Sequence, residues 1–307
     1  MMHRSGLRSL KAAWLMGAIL AIARPCEPFG EVERPAGGLK DASPLRRIQA
    51  AQALAALGSN GMWAKPQLVE ALNDSDWGVR CAAAGALWAI ARDKDLVVPT
   101  ALAALKQGDP TTKTEAASLI ADIGPSASAA TSELAQALSD RDSNLRFAAA
   151  QALLYIGPAA RSAEPALRER ASAETDPTIQ YEVKWALYAV NPPAHIPDIR
   201  RSLETDPGGS LLMVNVLLPL MGPERRELVP SVMDAIQHPS LASKRKRAGV
   251  SAGVAEQKAR LQGIVILGAL GKDAAEATPL LRKLSSSDSD SAIRAAAQEA
   301  LKLIERS

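Results

Sequence analysis

One pattern of residues returns along most of this chain at a nearly constant interval. It consists of an aliphatic residue followed by Arg, a block of alanines, Ala-Leu, and an Ile near the end. The three clearest copies are VRCAAAGALWAIA from Val79, LRFAAAQALLYIG from Leu145 and IRAAAQEALKLIE from Ile293. Weaker copies end at Gly58, Gly124, Asn191, Gly222 and Gly271. A period sustained near 33 residues predicts a solenoid of about seven to eight two-helix repeats.

Each repeat carries signals for two helices. The first helix begins near a proline, because Pro at the first helical position costs no hydrogen bond. These prolines are Pro66, Pro165, Pro230 and Pro279. The second helix ends at Gly or Asn, where a left-handed cap fits. Hydrophobic residues make up 47% of the chain but aromatic residues only 3%, so Ala and Leu dominate the apolar content and favour close helix packing.

Short acidic turns separate the two helices of a repeat. An Asp side chain there can accept hydrogen bonds from the free N–H groups at the start of the second helix. The same acids recur four residues before an arginine, which predicts a ladder of ion pairs along the stack. The pairs are Asp76 with Arg80, Asp142 with Arg146 and Asp290 with Arg294.

These residues resemble the HEAT-repeat family, in particular its short HEAT-like repeats of the phycobilisome-lyase type. The resemblance covers Ser43 to Arg306 and implies an all-α fold, a right-handed α-α superhelix. It also implies a binding scaffold, since such repeats mostly serve that role. Between Pro165 and Gly222 the chain departs from the pattern, because Gln180 replaces the usual Arg and Pro219 interrupts a second helix. A bend in the stack is expected there.

The N-terminus carries an export signal. A basic segment with Arg4, Arg8 and Lys11 precedes an apolar run that ends in Ala21-Ile22-Ala23, which is typical of a cleaved signal peptide. We therefore divide the chain into a signal peptide (1–23), a Pro/Gly-rich linker (24–43) and a solenoid (44–307). The predicted location is periplasmic or extracellular, with no stable membrane span after cleavage.

Charge and cysteine content give little information about binding partners. The full chain has 36 Lys and Arg against 33 Asp and Glu, and loss of the three basic residues in the signal leaves the mature chain neutral. We therefore expect no nucleic-acid partner. An oxidising compartment would permit a bridge between Cys26 and Cys81, but the sequence does not decide whether it forms, nor the oligomeric state.

The aromatic residues predict a partner-binding groove. At 100° per residue, one face of each second helix lies away from the alanines and points into the concave side of the solenoid. The predicted partner-binding residues on that face are Trp88, Phe147, Leu154, Tyr181, Trp185 and Tyr188. Two alternatives stay open: the rings pack between helices, or the segment from Arg24 to Pro44 fills the groove.

A second candidate surface is an insertion at about 238–258. The interval from Gly222 to Gly271 is 49 residues, longer than the usual period. The extra segment contains a basic run, which predicts contact with an acidic protein, a polyanion or a membrane surface, or else a solvated loop. The run is Lys244, Arg245, Lys246 and Arg247.

Signals for chemistry are weak, and we predict no catalytic, cofactor or metal site. His195 and His238 lack partners at metal-ligand spacing. The G-x-S-x-G match at 249–253 has no preceding strand, which a nucleophile elbow requires. The leading hypothesis is an exported, non-catalytic HEAT-repeat scaffold that binds a protein or peptide in its groove. The alternative is a phycobilin-lyase-like accessory protein that handles a chromophore or cofactor.

Overall fold

The computed structural model describes residues 34–239 and 252–306. This part of the chain contains helices and turns but no strand. The helices are α1 Arg34–Gly38, α2 Pro44–Ala56, α3 Lys65–Ala71, α4 Trp77–Ala91, α5 Lys94–Gln107, α6 Pro110–Ile123, α7 Thr131–Ala137, α8 Ser143–Ile156, α9 Glu164–Ala173, α10 Pro177–Val190, α11 Ile196–Thr205, α12 Pro207–Leu217, α13 Val229–Gln237, α14 Ala252–Leu270, α15 Thr278–Ser287 and α16 Ser291–Arg306. Most odd-numbered helices from α3 onward follow a 3₁₀ segment.

Helices pair in sequence order, an odd-numbered first helix with an even-numbered second helix. Seven such pairs follow α2, so the predicted all-α solenoid of two-helix repeats is confirmed. The short helix α1 lies in the described part of the predicted linker, and Leu39 after it is buried. The predicted signal peptide and the basic run Lys244–Arg247 lie outside the described residues.

Local signals set most helix ends. Side chains of Asp76, Asp109, Asp142 and Asp176 accept hydrogen bonds from backbone N–H groups in the first turns of α4, α6, α8 and α10. Positive φ angles follow several second helices at Gly58, Gly124, Gly157 and Gly271, and Arg92 takes this conformation after α4. The predicted cap is wrong at Asn191 and Gly222, whose φ angles are −149° and −82°.

Alanine allows the second helices to lie close together. Pairs of alanines on α4, α6 and α8 are fully buried, and they are Ala83, Ala84, Ala116, Ala117, Ala149 and Ala150. Along this row α6 and α8, and α8 and α10, run side by side, whereas the first helices α7 and α9 approach each other at few points. Because the second helices form the more tightly spaced row, they line the concave side of the solenoid.

Arginines connect neighbouring repeats, but not through the predicted pairs. The acids four residues before Arg80, Arg146 and Arg294 accept hydrogen bonds from the backbone of their own helix. Arg80 and Arg294 donate to carbonyls of the turn before their own helix, whereas Arg146 reaches the next turn. Arg47 binds Asp74 at 2.7 Å and Arg146 binds Glu174 at 2.9 Å. Arg260 binds Asp288 in the same way. Each of these three ion pairs, which we call arginine clasps, therefore joins one second helix to the turn that precedes the next second helix.

Glu174 is the most enclosed acid of this series. Its side chain is fully buried and accepts from the Nε and Nη2 atoms of Arg146 at 2.9 and 3.3 Å. These bonds lower the pKa of Glu174 to about 2. The carboxylate therefore stays ionised well below the pH at which a free Glu takes up a proton.

We expect Arg146→Met to lower the free energy of unfolding by about 3 kcal/mol, because the buried Glu174 carboxylate loses its main partner. The matched control is Lys302→Met, whose pair with Glu299 is more than half exposed on both sides and should contribute less than about 1 kcal/mol. Chemical denaturation of both variants measures the difference. Equal losses would show that the Arg146 clasp does not hold the stack.

Candidate functional site

The open face of the second helices is rotated from the direction that the sequence predicts. On α8 Asn144 is exposed, while Phe147, Gln151 and Tyr155 are half-buried. Leu154 is only 1% exposed. At 100° per residue, Leu154 lies roughly 60° round the helix from Gln151, on the side turned towards the interior. The prediction that Leu154 faces the groove is therefore wrong.

The side chains in the second half of α10 are buried. Trp185 is 0% exposed and Tyr188 is 6% exposed, so the prediction that these two rings face the groove is wrong. α12 ends at Leu217, two residues before Pro219. The turn that follows brings Leu220 to the C-terminal end of α8, where its side chain would lie 3.0 Å from a Cβ placed on Gly157.

The three rings pack against one another and against the following repeat: Tyr181 reaches α12, while the Tyr188 ring lies 5.2 Å from the His195 ring just before α11. The ring centroids of Trp185 and Tyr188 are 5.2 Å apart and perpendicular, and Tyr181 meets Trp185 edge-on at 6.0 Å. The Tyr181 hydroxyl donates to the Gly209 carbonyl of α12 at 3.0 Å. Backbones of α10 and α12 approach each other far less than those of α8 and α10. The rings thus fill part of a wider gap, whereas elsewhere alanines let neighbouring second helices lie close together.

The six predicted groove residues therefore do not form one stripe. Tyr181, Trp185 and Tyr188 lie together, but Trp185 and Tyr188 are buried. Trp88 is half-buried on α4, two second helices away from Phe147 along the row, and the Arg92 guanidinium lies 4.9 Å from its ring. A role in partner binding stays a prediction for these residues.

The open face of α6, α8 and the start of α10 forms what we call the concave groove. Its lining is polar and aromatic, and it includes Glu115, Ser118, Asp122, Phe147, Gln151, Tyr155 and Tyr181. Tyr155 and the carboxylates were absent from the predicted site. The spacing of Phe147, Gln151 and Tyr155, four residues at each step, is the sequence signal that could have revealed them.

Electrostatics in the groove are dominated by acids. Desolvation, and then the charge of Asp109, raises the pKa of Glu115 although its side chain reaches solvent. On α10, burial raises the pKa of Glu182 to about 7. The Tyr155 hydroxyl feels both Glu182 and Asp122, and burial together with these charges raises its pKa. The acids whose charges act on Tyr155 thus come from the helices on either side of α8.

A second open surface follows the closed part of α10. On α12 and α14 the same helical positions carry apolar side chains, and we call this surface the aliphatic face: Leu212, Met213, Val216, Leu261 and Val265. Val265 is 51% exposed. The concave side is therefore divided into a polar, aromatic half and an aliphatic half.

The histidines show no metal-binding arrangement. The Nδ1 atom of buried His195 lies 3.2 Å from an Asp198 carboxylate oxygen, and its Nε2 lies 3.8 Å from Glu164. Across residues 34–239 and 252–306, no group of three His, Cys, Asp or Glu side chains could hold a metal ion. No helix in the same ranges is long and apolar enough to cross a membrane.

We expect Trp185→Ala to cost about 3–5 kcal/mol of folding stability, because a fully buried indole leaves a large cavity. Trp63→Ala is the control, since Trp63 is 39% exposed and its loss should cost less than about 1 kcal/mol. Denaturation curves compare the two variants. If Trp185→Ala also lost less than about 1 kcal/mol, this ring would be exposed in the groove rather than buried.

Glu182 should make stability depend on pH. Its pKa is raised from 4.5 to about 7 in the folded chain, so the wild type loses stability as the pH rises from about 4.5 to about 7. Glu182→Gln cannot ionise. Relative to the wild type, it should gain on the order of 2 to 3 kcal/mol between pH 4.5 and pH 8. Parallel unfolding profiles over that range would contradict this expectation.

Comparison with known proteins gives a consistent result for the fold. The family model described as HEAT repeats matches residues 36–120 and 131–213, which is more than half of the chain. No curated protein matches the sequence.

Three solved structures are similar to this chain, and of these three the first supports the fold with a TM-score above 0.5. The complex of CpcE and CpcF of phycocyanin lyase from Nostoc sp. PCC7120 is 16% identical, with 93% of this chain and 98% of that chain covered and a TM-score of 0.52. An engineered protein is 18% identical, with 90% and 99% covered and a TM-score of 0.44. The archaeal HEAT-like repeats protein from Thermococcus onnurineus NA1 is 16% identical, with 92% and 99% covered and a TM-score of 0.35. At these identities the likeness concerns the fold alone, and the repeat match is what assigns the family: the chain belongs to the HEAT-repeat family.

Proposed function

We propose that this HEAT-repeat protein is an exported, non-catalytic scaffold that binds a protein or peptide partner in its concave groove. The observation that carries the proposal is the composition of that groove. Half-buried rings of Phe147, Tyr155 and Tyr181 lie beside polar side chains that reach solvent. Aromatic side chains surrounded by a polar rim are typical of protein interfaces.

The export part of the proposal is supported by the sequence. A basic segment, a short apolar run and Ala21-Ile22-Ala23 are the three parts of a cleavable signal. Cleavage after Ala23 would leave Arg24 as the first residue of the mature chain. The partner would then be a protein or peptide of the periplasm or the extracellular space.

The competing function is that of an accessory protein that handles a chromophore or cofactor. Its support is the fold shared with the complex of CpcE and CpcF of phycocyanin lyase. At 16% identity the shared fold gives no evidence that this chain binds the same ligand. Burial of Trp185 and Tyr188 also removes two of the rings that would have lined an aromatic chromophore site. The protein-binding function is therefore preferred.

Site-specific photo-cross-linking tests the proposal. A photoreactive phenylalanine derivative replaces Gln151, which lies in the groove on α8, and in a second variant replaces Gln136, which is exposed on the first helix α7. We expect irradiation of native cells to join a defined protein or peptide to position 151 and not to position 136. Mass spectrometry identifies the product, and N-terminal sequencing of the same material checks for a start at Arg24.

The contrary results are distinct. Cross-links at position 136 alone, or equally at both positions, would overturn the groove as the binding surface. A bound pigment with its absorption band in the purified protein would favour the accessory function. An intact Met1 on the native protein would overturn export. The cross-linking result would then test binding in the groove by itself.

A further inference from the structure

The N-terminal end of the solenoid leaves an apolar side chain of α2 open. Leu57 is 39% exposed, whereas the residues at the same position of the next three second helices are buried: Ile90 is 4% exposed, Ile123 7% and Ile156 0%. The preceding repeat covers Ile90, since a Cβ placed on Gly61 would lie 3.1 Å from its Cγ2 atom. Leu57 therefore lacks the cover that a preceding repeat gives to its counterpart.

The 3₁₀ segment that follows α2 adds two large apolar side chains at this end. Met62 is 47% exposed and Trp63 is 39% exposed. The corresponding residues of three later 3₁₀ segments are small or polar: Ser128 and Ala129, Arg161 and Ser162, and Ala275 and Glu276. We call Leu57, Met62 and Trp63 the end patch. Exposed apolar side chains that lie close together mark a surface that something covers.

The opposite end of the solenoid is polar. The outer side of α16 carries exposed polar and charged side chains, namely Gln298, Glu299, Lys302 and Glu305. A terminal repeat needs such an outer face, because no further repeat covers it. The C-terminal end meets this requirement, whereas the end patch at the N-terminal end does not.

The chain that leads into α2 comes back along the open side of this helix. The Asp41 carbonyl accepts a hydrogen bond from Arg47 at 2.9 Å, near the start of α2. Gly38, at the end of α1, lies about one turn farther along, because a Cβ placed there would be 2.9 Å from the Ala50 Cβ. Ala50 and Leu57 are seven residues apart and share one face of α2. α1 therefore runs antiparallel to α2 and points back towards the end patch.

The length of the preceding segment fits the end patch. Arg34, the first residue of α1, lies about 6 Å beyond Gly38 in the direction of the patch. From Arg34 the five residues 29–33 span about 16 Å when extended. They include the apolar residues Phe29 and Val32. A short continuation of the path that α1 follows therefore brings apolar side chains to the exposed ones.

We propose that residues 24–33 cover the end patch and cap the N-terminal end of the solenoid, in the place that a preceding repeat occupies elsewhere. Because the segment is joined to α1, its effective concentration at the patch is on the order of millimolar, which favours it over a second copy of the chain. The cap leaves the concave groove free, so this inference is independent of the partner that binds there.

Photo-cross-linking of the purified full chain tests the cap. A photoreactive phenylalanine derivative replaces Trp63, and in the matched control it replaces Glu276, the corresponding residue near the opposite end. Irradiation should join position 63 to residues 24–33 of the same chain and should not join position 276 to them. Peptide mass spectrometry locates the link. Links from position 63 to a second copy, or none to residues 24–33, would overturn the inference.

Methionine oxidation checks the cap without altering the patch. Hydrogen peroxide converts methionine to its sulfoxide, and Phe29→Ser should raise the oxidation rate of Met62 by about 3-fold or more by uncovering it. Met213, half-buried on α12, should keep its rate, which shows that the solenoid stays folded. Glu27→Gln in the same segment is the control and should change neither rate. An unchanged Met62 rate in Phe29→Ser, or an equal rise at both methionines, would contradict the cap.

Discussion

Close contact between alanines on neighbouring second helices is the constraint from which the rest of this structure follows. Buried alanines at matching positions of α6 and α8 let these second helices and α10 run side by side, while the first helices α7 and α9 stay further apart. That difference curves the stack and creates a concave side. On α10 the position that corresponds to Ala150 is Lys184, and bulky rings follow it. There the spacing changes, and the concave side is divided in two.

The fold could be predicted from the sequence because each helix end has a local cause. Asp before the second helix and Gly after it act within a few residues of where they occur. The exposed face could not be predicted in the same way. Burial of the α10 rings involves the following repeat, because the Tyr188 ring packs against His195 and the Tyr181 hydroxyl donates to Gly209. Residues outside α10, up to 28 positions further along the chain, therefore contribute to the burial of its rings.

The predicted ion pairs failed because a backbone N–H group and an arginine compete for the same acid. Spacing of four residues on a helix predicts a pair, yet Asp142 accepts from the Asn144 N–H and Arg146 turns to Glu174. Capping satisfies a backbone donor that would otherwise lack a partner, which favours it over a side-chain pair in water. The candidate site shows the same limit, since Tyr155 is visible in the sequence but the acids whose charges act on it come from adjacent repeats.

The span of the arginine clasps has a consequence for how the chain reaches its fold. Arg47 with Asp74 and Arg146 with Glu174 join residues separated by 27 and 28 positions. Loops of this length close quickly, and arrays with such short-range contacts fold by nucleation in one repeat followed by growth to its neighbours. A chain that emerges end first from a ribosome or a translocation channel can therefore assemble repeat by repeat, before its last helices have appeared.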